Sequence, residues 1–109
     1  MDFEEMQARA RGVRQQYAAM ETARYGRAWS REEIMLGFIG DVGDLAKLVQ
    51  GKEGVRPRDD LDEALAHELA DCLWCVMTLA DAYDVDLGAA FASTMDDLAR
   101  SLRGGSQPE

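Results

Sequence analysis

Between Asp60 and about Tyr83 runs a segment whose apolar residues face nearly every side of a helix: Leu61, Leu65, Leu69, Leu73, Val76 and Leu79 on one side, Trp74 and Met77 on others. A helix without a wet face has to be covered all round. The chain has 109 residues, 47% of them hydrophobic, which bounds it to one domain with a modest core. So few residues can hardly surround one of their own helices. The segment therefore predicts an oligomer, a homodimer or homotetramer with this helix near a two-fold interface.

Three further helices complete an all-α reading, a four-helix bundle over residues 1–103 followed by a flexible tail, 104–109. The first runs from about Phe3 to Arg24, with Phe3, Met6, Ala10, Val13, Tyr17 and Met20 at spacings of three and four. Ser30 caps the second and Glu33 completes a capping box; the helix is expected to stop at Gly51. Asp60 with Glu63 starts the third, and Asp86 caps a fourth that ends near Arg103.

The formal charge of −9 excludes a general nucleic-acid binder, which needs a basic face. A free nucleotide remains possible, because a bound cation supplies local positive charge. No stretch reaches the ~18 apolar residues of a membrane span. The acidic start, Met1-Asp2-Phe3-Glu4-Glu5, is unlike a signal peptide, so a cytoplasmic location is expected. Cys72 and Cys75 form a C-x-x-C in mid-helix, without the strand-to-helix setting of a redox motif, and His67 is the sole histidine for zinc. Both are read as small core residues.

The carboxylates are the informative feature. At about 100° per residue, Asp41 falls within roughly 40° of Ile34, Leu45 and Leu48, inside the apolar stripe of the second helix, with Asp44 at its edge. On the third helix Glu68 lies among Leu61, Cys72, Cys75 and Leu79, with Asp71 at the margin. Acids pointing into a packing face must be ion-paired, protonated or bound to a cation. Lys47 is the one candidate partner on that face of the second helix, and the third has none. A hard ion, Mg²⁺ or Mn²⁺, suits such oxygen ligands. The plainer alternative is four acids solvated in a groove.

At these residues the chain resembles a known family. Leu36-Gly37-Phe38-Ile39-Gly40-Asp41-Val42-Gly43-Asp44-Leu45-Ala46 resembles the L-G-x-x-G-E-x-G-E-L-A helix of MazG-like nucleotide pyrophosphohydrolases, and His67-Glu68-Leu69-Ala70-Asp71-Cys72-Leu73-Trp74 their E-E-L-x-D-x-L-W helix. Ala80 to Leu87 is similar to the passage that follows. The resemblance implies that Asp41, Asp44, Glu68 and Asp71 hold Mg²⁺, and that a nucleoside triphosphate is hydrolysed to a monophosphate and pyrophosphate with Glu68 or Asp44 as general base. Asp41 and Asp44 stand where the family carries glutamates, and Thr94, Asp97 and Leu98 where it often carries lysine and asparagine for phosphate. Lys52, Arg56 and Arg58 of the basic loop, with Lys47, are the replacements to expect. The alternative is a catalytically silent helical dimer that binds a nucleotide or a protein partner.

Two features stay open at this stage. Trp29 can stack on a base or anchor packing. Gly37, Gly40 and Gly43 allow either close helix approach or room for a nucleotide.

Overall fold

A computed structural model describes residues 1–104, and every regular element in them is a helix: α1 (Phe3–Tyr25), α2 (Arg31–Lys52), α3 (Leu61–Ala82) and α4 (Leu87–Arg103). The expected tail lies, from residue 105 onward, outside the described residues. None of the described helices is long and apolar enough to cross a membrane.

Local chemistry sets the helix ends. Asp2 accepts from the Glu5 amide at 2.8 Å to start α1, and Gly26 closes it in the left-handed region at φ 84. The capping box forms: the Glu33 amide donates to Ser30 Oγ at 3.2 Å and the Ser30 amide to Glu33 Oε1 at 3.0 Å. Asp86 accepts from the Ala89 amide at the start of α4. Asp60 precedes α3 without capping it, because Arg58 holds its carboxylate, with Nη2 2.7 Å from Oδ2.

The second correction concerns Gly51. It does not stop α2, which continues to Lys52; it lets the C-terminal turn of α2 meet the start of α3. A Cβ there would stand 2.5 Å from Leu61 Cδ2 and 2.7 Å from the Arg56 carbonyl oxygen. At the other end of the pair, Arg31 lies 4.9 Å from the centre of the Tyr83 ring. α2 and α3 are therefore antiparallel neighbours, sealed by buried Ile34, Leu48 and Cys75.

α1 covers a second side of α3. Trp74 Nε1 donates to the Ala10 carbonyl at 3.1 Å and its ring lies 5.6 Å from that of Tyr17, while Gln7 Nε2 donates to the Met77 carbonyl. Trp74 thus packs on α1 within the chain. A Cβ on Gly37 would stand 3.8 Å from the Trp29 ring, whereas one on Gly40 or Gly43 would meet nothing within 4 Å, so close helix approach within one chain does not explain those two.

The bundle is not closed by α4, which carries no buried residue and leaves Phe91 and Leu102 more than 60% exposed. Leu69, Leu73 and Val76 of α3 and Leu36, Ile39 and Val42 of α2 are also exposed. The radius of gyration is 17.1 Å, against about 13 Å for a compact chain of this length.

Gly51→Ala is expected to destabilise the fold by ~1–3 kcal/mol, since the Arg56 carbonyl cannot step aside as a side chain can. Gly12→Ala, where a Cβ meets nothing within 4 Å, should gain up to ~1 kcal/mol from helix propensity. Thermal melts of the two variants check this contrast; equal midpoints would refute it.

Candidate metal centre

The antiparallel register of α2 and α3 sets Asp41 and Asp44, one turn apart on α2, opposite Glu68 on α3. One carboxylate oxygen from each of the three lies within 4.8 Å of the others. Glu68 Oε1 is buried without a hydrogen-bond partner. Burial pushes the Glu68 carboxyl above its usual range, and repulsion from Asp41, Asp71 and Asp44 adds to the rise.

Asp71 is not in this trio. It lies half-buried, with Oδ2 3.1 Å from His67 Nε2, and repels Glu68 from beside the cluster. Cys75 is 4% exposed and its thiol donates to Asp41 Oδ2 at 3.5 Å. Burial and that contact push the Cys75 thiol up to about 12, and burial raises Cys72 as well. Both remain neutral thiols at physiological pH.

A cleft of about 430 Å³ opens beside the acids, lined by Asp44 and Glu68 together with Lys47, Arg56, Arg58 and His67. Lys47 and Arg56 have no side-chain partner among the described residues, so their charges are free to meet an anion; Arg58 is held by Asp60. Lys52 stands elsewhere. It pairs with Asp62 at 2.5 Å and borders another cleft, of about 530 Å³, whose walls include Asp59, Asp60 and Glu63. Such walls repel phosphate.

Trp29 is placed beside Gly37, one turn before Asp41, and the residue is 46% exposed. Its amide donates to Glu21 Oε1 at 2.9 Å and its carbonyl accepts from Arg14 Nη2 at 3.0 Å. Arg14 and Glu21 themselves form an ion pair at 3.1 Å, with Glu21 only 4% exposed. Sequence reading missed this pair, whose signal was the seven-residue, two-turn spacing along α1. It also missed His67 as a cleft residue; the clue was its position four residues before Asp71.

The donor set fits a hard divalent cation: carboxylate oxygens only, converging from two helices, with one buried oxygen left unsatisfied. Lys47 and Arg56, without side-chain partners among the described residues, share the cleft with two of these acids.

Comparison with known proteins places the chain. It is 32% identical over 100 residues to the Gene 37 protein of Mycobacterium phage L5, covering 82% of this chain and 87% of that protein. The chain belongs to the family of that phage protein. It is also similar to dCTP pyrophosphatase 1 of Homo sapiens, 39% identical over 70 residues, which is 58% of this chain and 40% of that protein. The chain thus matches less than half the length of the human enzyme. No protein-family profile matches it, and no solved structure does.

Glu68 carries a testable sign. Its folded pKa lies above its unfolded value, so without metal its contribution is absent below the ordinary carboxylate range and becomes destabilising as pH rises through and beyond it. Metal-free Glu68→Gln should therefore melt higher than wild type at pH 7 and equal to it near pH 4. Mg²⁺ at ten times its dissociation constant should stabilise wild type by about 1.4 kcal/mol and the variant by less. Calorimetry at both pH values, with and without Mg²⁺, reads both effects, and an unresponsive wild type would count against the site.

Proposed function

We propose that this protein is a Mg²⁺-dependent nucleoside triphosphate pyrophosphohydrolase of the MazG-like kind, with Mn²⁺ as an alternative ion. The observation that carries the reading is the convergence of Asp41, Asp44 and Glu68 oxygens, two of which line a cleft that unpaired Lys47 and Arg56 also line. Similarity to a dCTP pyrophosphatase supports the substrate class. The net charge of −9 favours a free nucleotide over a nucleic-acid polymer.

In this reading Asp41, Asp44 and Glu68 hold the cation, with Asp71 completing the acidic surround. When bound, the ion offsets triphosphate charge and lowers the pKa of the attacking water. Lys47, Arg56 and Arg58 grip the phosphates, and the exposed face of Trp29 takes the base. Glu68 or Asp44 accepts the proton of the water that attacks the α-phosphorus; the α–β anhydride bond breaks, and pyrophosphate leaves from a nucleoside monophosphate. The raised affinity of Glu68 for a proton suits it to that task. Lys52, paired to Asp62, is not needed. Residues 1–103 form the working domain, acting on the nucleotide pool of the cytoplasm.

The assembly we assign is a homodimer, with a homotetramer as the next closed form. The chain exposes 8024 Å², against about 6,000 Å² for a compact monomer of its mass. That excess is of the size an obligate dimer buries on each partner, roughly 1,000–2,500 Å². Its apolar parts are the outer faces of α2, α3 and α4 described above. A second copy is the occupant because these faces are the unfinished sides of the chain's own core.

Purified protein with Mg²⁺ and a panel of ribo- and deoxynucleoside triphosphates should release pyrophosphate. Glu68→Gln should lose at least ~100-fold in kcat, and Arg56→Ala should act mainly on KM. No pyrophosphate at high protein concentration, with nucleotide still bound, would leave the silent dimer standing.

Light scattering after size exclusion should give at least twice the 12.1 kDa chain mass, and Leu73→Asp should dissociate or unfold the assembly. A monodisperse, stable monomer would remove the interface.

A further inference from the structure

We propose that Cys75 is a positioning residue for the carboxylate cluster: its thiol, donating across the helix pair, fixes the rotation of Asp41 so that the carboxylate faces Asp44 and Glu68. The inference rests on the metal-site reading above and adds a residue which that reading does not use.

The contact spans 34 positions of sequence and joins α3 to α2 at 3.5 Å, so it forms only when the two helices are packed. Among the described residues the thiol is the hydrogen-bond partner that Asp41 has; no lysine, arginine or backbone amide reaches that carboxylate. The outer torsion of an aspartate is broad and close to two-fold, so without a partner its oxygens wander. Supporting partners of metal ligands are what hold such groups in place. Burial to 4% exposure ties the Sγ atom to its surroundings, so the donor is itself immobile.

The choice of sulfur has a chemical reason. A lysine or arginine at this point would neutralise Asp41 and compete with the cation for it. A neutral S–H orients one oxygen while leaving the negative charge available. A thiol is also a weak donor, so it costs little to bury between two apolar helix faces. The helix-two acids of this chain are short by one methylene relative to the glutamates of the pattern it resembles, and a shorter acid has less freedom to search for the ion. Fixing it in advance matters more.

The test is Mn²⁺ binding, read from loss of the free-ion electron paramagnetic resonance signal and independent of turnover. Cys75→Val fills the space without a donor and should raise the half-saturating Mn²⁺ concentration about 3- to 10-fold, below the range for stronger supporting partners. Cys75→Ser keeps a donor and should stay within about two-fold of wild type by the same reasoning. In an Asp41→Asn background the Cys75→Val effect should vanish, because the two changes act through one contact. A folded Cys75→Val protein that binds Mn²⁺ like wild type overturns the proposal, as does a Cys75→Ser protein as weak as Cys75→Val, which would reveal packing alone. If Cys75→Val does not fold, the decision falls to Cys75→Ser and Asp41→Asn: additive losses in their double variant overturn the role, and Cys75→Ser binding near wild type upholds it. Wild type that binds no Mn²⁺ at all sinks the metal reading first, and is told apart from the other outcomes by that fact.

Discussion

Everything at the candidate site depends on one opposition: apolar packing pulls α2 and α3 together along a line where both present acids. Ile34, Leu48 and Cys75 are buried there, and Gly51 admits Leu61 to within touching distance. The same approach brings carboxylate oxygens of Asp41, Asp44 and Glu68 within 4.8 Å of one another. At an effective dielectric of about 20, two charges at that range repel by roughly 3 kcal/mol. The helices win because hydrophobic contact is spread along several turns, while repulsion is confined to one. What remains is a pocket of unrelieved negative charge, and burial first, then that charge, make Glu68 reluctant to ionise.

The surroundings of that pocket are asymmetric in charge. Acids come from helices, where neighbours fix them, whereas two of the three flanking cations come from the linker between α2 and α3. Arg58 is tethered by Asp60, and Arg56 is untethered, so the linker offers one settled and one mobile positive charge. α1 contributes no side chain to the cleft wall and acts from behind, covering α3 through Trp74 and Tyr17.

Much of this was legible in the sequence, and the rest was hidden for identifiable reasons. The 3.6-residue period exposed four helices, and Ser30 with Glu33 marked a start that the structure reproduces. Acids inside an apolar stripe were conspicuous because burial of charge is costly. Gly51 misled because a glycine at a helix end and a glycine at a crossing look alike until the partner helix is placed. Asp71 stands beside the trio because azimuth alone cannot tell which acid a neighbouring histidine will engage. Lys52 was grouped with Arg56 and Arg58 by proximity in sequence, yet it is the last residue of α2 and pairs with Asp62. The two-turn spacing of Arg14 and Glu21 was visible, but their link to the Trp29 backbone depended on where the α1–α2 turn folds back, which no periodicity encodes.

That pair stiffens the turn between α1 and α2. Both backbone groups of Trp29 are bolted to α1, through Glu21 and Arg14. Moving that backbone would break two hydrogen bonds to charged groups, each worth about 1.5–3 kcal/mol, and leave a largely desolvated ion pair short of partners. The α1–α2 turn is therefore held firmly in place, whereas the exposed, untethered Arg56 of the α2–α3 linker rearranges at little cost.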